Sequence, residues 1–419
     1  MNLSIGKTIL KMRINKLIRK KNKGIPSFCS SNFDVLKSIL IFCDMYKLPC
    51  LIECTSNQVN QNGGYTGQTP SKFFRKVSSL SKKINFNKKN LFLGGDHLGT
   101  LPWRKSKSSV AMRNAHNLIN SFLRCNFCKI HIDTSIKCED DRTINNDIIF
   151  DRTYKILNHP KIKKKIRNRF LIIGTEVPLS GSGDNARNKK TSLNQIENEI
   201  YKFKKILKKL KLKHNIFGLV IEPGMKYMHN TIKKPNLNNF SEKKKFSMKN
   251  SFIYEAHSTD YQSLKTLKSL VKNNFKFLKV GPELTYEYSK SLFLMERIEK
   301  FFFKNKYSQI KKKIFESMVR KNLYWKDYYS KNNRYLFLNS KLDRMRYYFN
   351  NKNIRRSLRI LEKNINNINE EKIYKKVPLD SKKIFKFYRL KKLNNFESLK
   401  LIFLTKTLKK YFYASGYKF

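Results

Sequence analysis

Three histidines stand beside carboxylates in short motifs of similar shape: Gly94-Gly-Asp-His-Leu-Gly99, Lys129-Ile-His-Ile-Asp133 and Glu255-Ala-His-Ser-Thr-Asp260. Imidazoles with carboxylate neighbours suit a divalent metal, and a carboxylate not used as a ligand is free to move a proton. His97, His131 and His257 are therefore candidate ligands for Zn²⁺ or a similar divalent ion, and Asp96, Asp133 and Glu176 are candidate acid/base groups. His131 and Asp133 lie two apart, so on a strand both point to one face. A lone histidine on a strand is more often a satisfied core residue than a ligand, and it is the recurrence at three comparable positions that carries the metal reading. Candidate substrate contacts lie close by: Glu53 and Asn57 in Glu53-Cys-Thr-Ser-Asn57, Ser258 after His257, Lys279 in Lys279-Val-Gly281, and Gly63 and Gly64 in Asn60-Gln-Asn-Gly-Gly-Tyr-Thr-Gly67. That glycine-rich loop either brings backbone N–H groups to a phosphate, closes over a ligand, or is a turn that needs positive φ.

Elements must bring these motifs together. Eight short apolar runs, at 25–30, 50–55, 91–96, 129–134, 170–176, 216–222, 252–257 and 276–281, alternate with helical patterns such as 33–46 and 106–124. Eight β/α units in about 250 residues predict a (β/α)₈ TIM-type barrel, with a doubly wound sheet as the alternative. In a barrel the C-terminal strand ends line the active site, and that is where the histidines and carboxylates fall. An amphipathic helix over 1–23 precedes the barrel at 24–305, and a helical C-terminal appendage follows at 306–419. The polar segments 185–191 and 229–250 read as long loops.

The 419 residues carry 90 Lys+Arg against 30 Asp+Glu, a net charge of +60. Such a charge ordinarily points to nucleic acid, but the lysines are scattered along the whole chain and read as solvated helix faces, so no specific nucleic-acid partner is expected. Abundant Phe (31) and Tyr (21) beside scarce Gly (15) and Pro (10) are the imprint of an AT-rich genome at tolerant sites. No run approaches the roughly 20 apolar residues that span a bilayer, so no membrane segment is expected. Seven cysteines form no disulfide framework, and Cys125-Asn-Phe-Cys128 lacks the second pair a structural zinc needs. The basic N-terminus has helical spacing and no h-region, so a leading amphipathic helix and a reduced cytosol are expected.

Several of these motifs occur together in one order: Ile52-Glu-Cys-Thr-Ser-Asn-Gln-Val-Asn60 with Gly63-Gly-Tyr-Thr-Gly67, then Gly94 to Gly99, Lys129 to Asp133, Ile173-Gly-Thr-Glu-Val-Pro178, Tyr254-Glu-Ala-His-Ser-Thr-Asp-Tyr-Gln262, Leu278-Lys-Val-Gly-Pro282 and Arg346-Tyr-Tyr-Phe349. In this the chain resembles the non-catalytic (Z, GatZ/KbaZ-type) subunits of D-tagatose-1,6-bisphosphate aldolase, over nearly its whole length. The resemblance implies a cytoplasmic barrel subunit that assembles with a zinc-dependent class II aldolase subunit and supports its stability and full activity in tagatose 6-phosphate, galactitol or amino-galactose catabolism. It implies a sugar phosphate ligand and an oligomeric assembly. Asp96-His97 is similar to the class II aldolase pair in which His binds zinc and Asp handles the proton. The alternative from the same likeness is a metal-dependent 4-epimerase interconverting fructose 6-phosphate and tagatose 6-phosphate. No P-loop or kinase lysine motif supports phosphoryl transfer. The chain departs from the family pattern at Glu222-Pro-Gly224, Leu179-Ser-Gly-Ser-Gly183 and Asn62.

Overall fold

The structure, a computed structural model, describes residues 3–174, 191–212, 216–237, 240–330 and 332–419. Eight parallel strands close into a barrel in chain order: β1 (Ile25–Cys29), β2 (Cys50–Thr55), β3 (Leu91–Gly99), β4 (Lys129–Asp133), β5 (Phe170–Ile173), β6 (Phe217–Val220), then β9 (Phe252–Ala256) and β10 (Phe275–Val280), which pairs back with β1. A small hairpin, β7 (Lys226–Tyr227) with β8 (Ile232–Lys233), lies between β6 and β9. The strands are buried on both faces, which is why they read as short apolar runs without alternation. All eight runs predicted from sequence are barrel strands, with ends shifted by up to three residues.

The lumen is layered. Ile25, Leu51, Phe92, Phe170, Ile172, Ile253 and Phe277 fill its lower part, and Ile14 and Ile18 of the leading helix Leu3–Arg19 pack against them. The amphipathic N-terminal helix thus buries its apolar stripe against one end of the barrel. Above this layer stand ionised side chains. Period-two alternation along β4 sets Lys129, His131 and Asp133 on the inward face, and the same alternation carries Glu255 on β9 to His257 just beyond it.

Segment 229–250 differs from its expectation as a loop, because β8 and a helix at Phe240–Lys249 occupy much of it. Only Phe240 and Ser247 of that helix are buried, so its lysine-rich surface hid the helical period.

The C-terminal region folds back onto the barrel. Helix Asn395–Ala414, capped by Asn394 Oδ1 on the Glu397 N–H at 2.8 Å, is buried on nearly every side against helices Pro282–Phe303, Leu264–Lys272 and Phe33–Met45. Tyr411 Oη donates to the Thr259 carbonyl at 2.8 Å, and the Gly24 N–H donates to the Ser415 carbonyl at 3.1 Å, tying the end of the chain to both rims. Among the described residues no helix is long and apolar enough to cross a membrane, and no disulfide joins the seven cysteines.

Candidate metal and ligand site

A bulge makes the mouth. Gly95 pairs with Ile130 and Leu98 with Ile132, so Asp96 and His97 together face the single residue His131, and the register slips between them. His97 takes a left-handed φ of +48°, which costs about 1–3 kcal/mol for a non-glycine residue. Bulges of this kind re-aim side chains beside functional sites. Here two consecutive residues that would face opposite sides of a regular strand both reach the same cluster.

Asp96, His97, His131 and His257 each offer a donor atom, and these atoms lie within 4.8 Å of one another. Each imidazole has one nitrogen held by a carboxylate: His97 Nδ1 by Asp133 Oδ2 at 3.0 Å, His131 Nδ1 by Asp96 Oδ1 at 2.9 Å, and His257 Nε2 by Glu255 Oε1 at 2.8 Å. That leaves His131 Nε2 and His257 Nδ1 for a ligand, with His97 Nε2 turned to Asp96 Oδ2 at 3.4 Å, and carboxylate backing of this kind orients ligating histidines. His131 Nε2 is buried and has no hydrogen-bond partner. Three carboxylate-backed imidazoles, one of them with an orphaned buried nitrogen, fit a divalent ion. Lys279 opposes it, since its ammonium is ion-paired with Asp96 Oδ2 and competes for that carboxylate.

Burial would raise the Asp96 carboxyl, but His97, Lys279 and the His131 hydrogen bond outweigh it and hold the group well below the usual range. Asp133 is likewise brought down to about 2, burial being overcome by the His97 ring and the Ser135 hydroxyl. Burial lowers His131 and His257, so both are neutral at pH 7 and need shed no proton to act as ligands.

Beneath the cluster, Lys129 lies 2.6 Å from Glu53 Oε1 and 2.7 Å from Glu255 Oε2, all three fully buried. Burial lifts the Glu53 carboxyl above its ordinary value. Lys129 is held above its own ordinary value because the two carboxylates overcome its desolvation. Since Glu255 also holds His257, Lys129 fixes the platform on which that imidazole stands.

The mouth opens into a cavity of about 460 Å³, within the range of small-molecule sites. Asp96, His97, Asp133, His257, Ser258, Lys279 and Asn57 line it, as do Tyr65, Arg104 and, from the C-terminal region, Tyr328, Arg344, Arg346, Tyr347, Arg355 and Arg359. His131 sits just below its floor, fully buried. Two readings need correction. Glu53, expected at the substrate, is ion-paired through Oε1 with the buried Lys129 and does not line the cavity. Gly63 and Gly64 do not cradle a phosphate either, because their N–H groups donate to the Asn60 backbone and side-chain oxygens at 2.9 and 3.0 Å. The loop is the tight turn: Gly63 has φ +102°, and a Cβ on Gly64 would meet the Gln58 carbonyl at 2.5 Å. It presents Tyr65 and Thr66 to the cavity. Asp133 is committed to His97 and Ser135, which makes it an orienting group. Glu176 lies outside the described residues. Glu222 caps its own loop, accepting from the Gly224 and Met225 N–H groups at 2.7 and 3.0 Å, and does not line the cavity.

Sequence reasoning missed Lys129 and Glu255 as site residues, although their period-two spacing to His131 and His257 was available. It also missed the arginines of the C-terminal region, which no local pattern connects to the barrel.

Gly99 supplies a first test of the bulge. It pairs with Asp133, and a Cβ there would lie 1.6 Å from the Asp133 carbonyl oxygen. Gly99→Ala must push β3 off β4 between His97 and Asp133, and is expected to lose about 1–3 kcal/mol or more in denaturant unfolding. A loss under about 0.5 kcal/mol, the size of an ordinary surface change, would show that the two strands part freely there.

Fold and site define a (β/α)₈ barrel with a metal-type cluster at the C-terminal strand ends. The chain belongs to the D-tagatose-1,6-bisphosphate aldolase subunit GatZ/KbaZ-like family, whose profile matches residues 10–415. It is 32% identical over 359 residues to the D-tagatose-1,6-bisphosphate aldolase subunit GatZ of Escherichia coli O1:K1, covering 82% of this chain and 85% of that one. The GatZ subunit of Salmonella newport strain SL254 is 31% identical over the same length. Among solved structures, one described as a probable tagatose 6 phosphate kinase from Sinorhizobium meliloti 1021 matches with a TM-score of 0.82 and 26% identity, covering 94% of this chain and 100% of that one.

Proposed function

We propose that this chain is the accessory Z-type subunit of a class II D-tagatose-1,6-bisphosphate aldolase, supporting a separate catalytic subunit, and that a sugar phosphate occupies its barrel mouth. The observation that carries the first part is the family match over 10–415, joined to 32% identity with GatZ subunits across 82% of the chain. The second part is supported by the cavity, which joins the imidazole cluster to a cationic rim. Seven cysteines without a disulfide suit a reduced cytosolic setting.

His97, His131 and His257 with Asp96 would hold a divalent ion, Zn²⁺ by donor type. Such an ion, when bound, polarises a carbonyl or hydroxyl oxygen of a ligand. The chain's own residues orient it: Asp133, Asp96 and Glu255 set the three rings, and Lys129 fixes Glu255 from below.

An accessory subunit needs its fold and its partner-facing surface, whereas an enzyme needs its proton chemistry. The purified chain should therefore not cleave tagatose 1,6-bisphosphate, yet should raise the thermal half-life and activity of a cognate catalytic subunit. Asp96→Asn should leave that support within about twofold, because it alters proton transfer while nearly conserving shape. Interconversion of fructose 6-phosphate and tagatose 6-phosphate by the isolated chain, abolished in Asp96→Asn, would replace this reading with the epimerase.

A further inference from the structure

We propose that the arginines of the C-terminal region, Arg344, Arg346, Arg355 and Arg359, together with Arg104 of the barrel, form the phosphate half of a two-part ligand site whose other half is the imidazole–carboxylate mouth. This rests on the reading that a phosphorylated sugar occupies the cavity, and it names the residues that grip its phosphate.

The first support is the kind of cation present. The chain holds 70 lysines and 20 arginines, so about one in five of its cations is an arginine. Six Lys or Arg side chains line the cavity, and five are arginines, with Lys279 the exception. Around the cavity the chain's preference for lysine is reversed. A flat fork of donors matches a phosphate in two hydrogen bonds, which an ammonium cannot reproduce.

The second support is their state. Among the described residues no carboxylate is ion-paired with any of the five. The guanidinium of Arg344 stacks 3.7 Å from the Tyr328 ring centre and 4.6 Å from that of Tyr347, while its Nε donates to the Tyr324 carbonyl. Arg346 Nη1 donates to the Leu342 and Asp343 carbonyls, and its Nη2 to the Tyr347 hydroxyl at 3.1 Å. Both heads are fixed by neutral groups, and neither is in an ion pair with a carboxylate. Asp343, the acid whose charge acts on Arg346, takes a hydrogen bond from Thr285 Oγ1, and burial lifts its carboxyl to about 7. The positive field also shows on Tyr347: burial would raise its phenol, but Arg346 and Arg344 bring it below its ordinary value. A preorganised cationic pocket of this kind holds an oxyanion with little side-chain entropy left to lose.

The third support is placement. These arginines line the same cavity as His97 and His257, so one molecule with a phosphate at one end and hydroxyl or carbonyl oxygens at the other has both kinds of group within one enclosure.

Calorimetric titration of the full chain should be run with inorganic phosphate, fructose 6-phosphate and fructose. The phosphate ester should bind at least about tenfold more tightly than the free sugar, as charge-assisted hydrogen bonds imply. Arg355 and Arg359 are exposed, so Arg355→Ala/Arg359→Ala tests the rim with the fold intact. The double variant should lose about tenfold or more in affinity for the ester and for phosphate, with fructose binding unchanged, while Arg356→Ala on the same helix but off the cavity should match the parent. Arg344→Lys keeps the charge and should still lose several-fold. The proposal is overturned if the ester binds no better than fructose, if neither is bound, or if the double variant matches the parent. The accessory role is read separately in the catalytic-subunit assay, where failure would leave phosphate binding untouched.

Discussion

Replacing Lys129 by methionine is expected to destabilise the chain by about 3–5 kcal/mol at pH 7, because removing one partner of a buried ionic group leaves the others uncompensated. The ammonium sits between Glu53 and Glu255 at 2.6 and 2.7 Å, with no exposure for any of the three. It also lies 5.1 Å from the Phe277 ring centre, so methionine fits the volume and the loss is one of charge. In the parent, the Lys129 value is raised in the fold, so its contribution is complete below the ordinary lysine value and is lost only as pH climbs through the raised one. In the variant two carboxylates face each other with no cation between them, and Glu53, already lifted by burial, is driven further upward. An acid with a raised value in the fold costs stability above its unfolded value, so the variant's deficit should shrink as pH falls toward 4. Adding Glu53→Gln and Glu255→Gln should recover most of the loss, since exchanging a whole buried ionic group for neutral residues is often near neutral. Denaturant midpoints at pH 7 and pH 5 decide it; a loss below about 1 kcal/mol would mean that water reaches the triad.

A comparable effect is expected for metal. Chelator-stripped chain reconstituted with Zn²⁺ and passed through a desalting column should retain about one ion per chain, the occupancy of a single closed cluster. His131→Ala and His257→Ala should each abolish retention, because each removes one of four donor residues that lie within 4.8 Å of one another. Asp133→Asn should weaken binding about 10–100-fold while leaving a measurable site, since it frees the His97 ring without removing it. Lys279→Met should act in the opposite direction, because it takes a competing cation from Asp96. Full retention in both histidine variants would make the cluster a hydrogen-bonded structural core. The histidine variants also separate this site from the arginine rim, whose grip on inorganic phosphate should survive them.

Much of the barrel was legible because β/α alternation is a local signal: each strand is a short run buried on both faces, and each helix carries its own apolar stripe. The rule that chemistry gathers at C-terminal strand ends then singled out Asp96, His97, His131, Asp133 and His257 without any knowledge of distance. Height within the lumen was not legible. Glu53 and Asp96 both belong to strand-end motifs, yet one is sealed against Lys129 and the other meets three imidazoles. Which it is depends on strand stagger and on a two-residue bulge that only the pairing of β3 with β4 reveals.

The number of β/α units, their order, the residue types at each strand end and the family follow from the sequence, since all of these are written in local periodicity and in motifs of fixed order. Tertiary structure alone decided that Asp96 and His97 face the same cluster, that the glycine loop uses its own N–H groups, and that residues more than 200 positions from His97 roof the mouth it opens into. The physical reason is range. Periodicity reports which face of an element is buried, whereas the docking of helix Asn395–Ala414 and the arginines ahead of it is set by packing between segments remote in sequence, where no spacing rule applies.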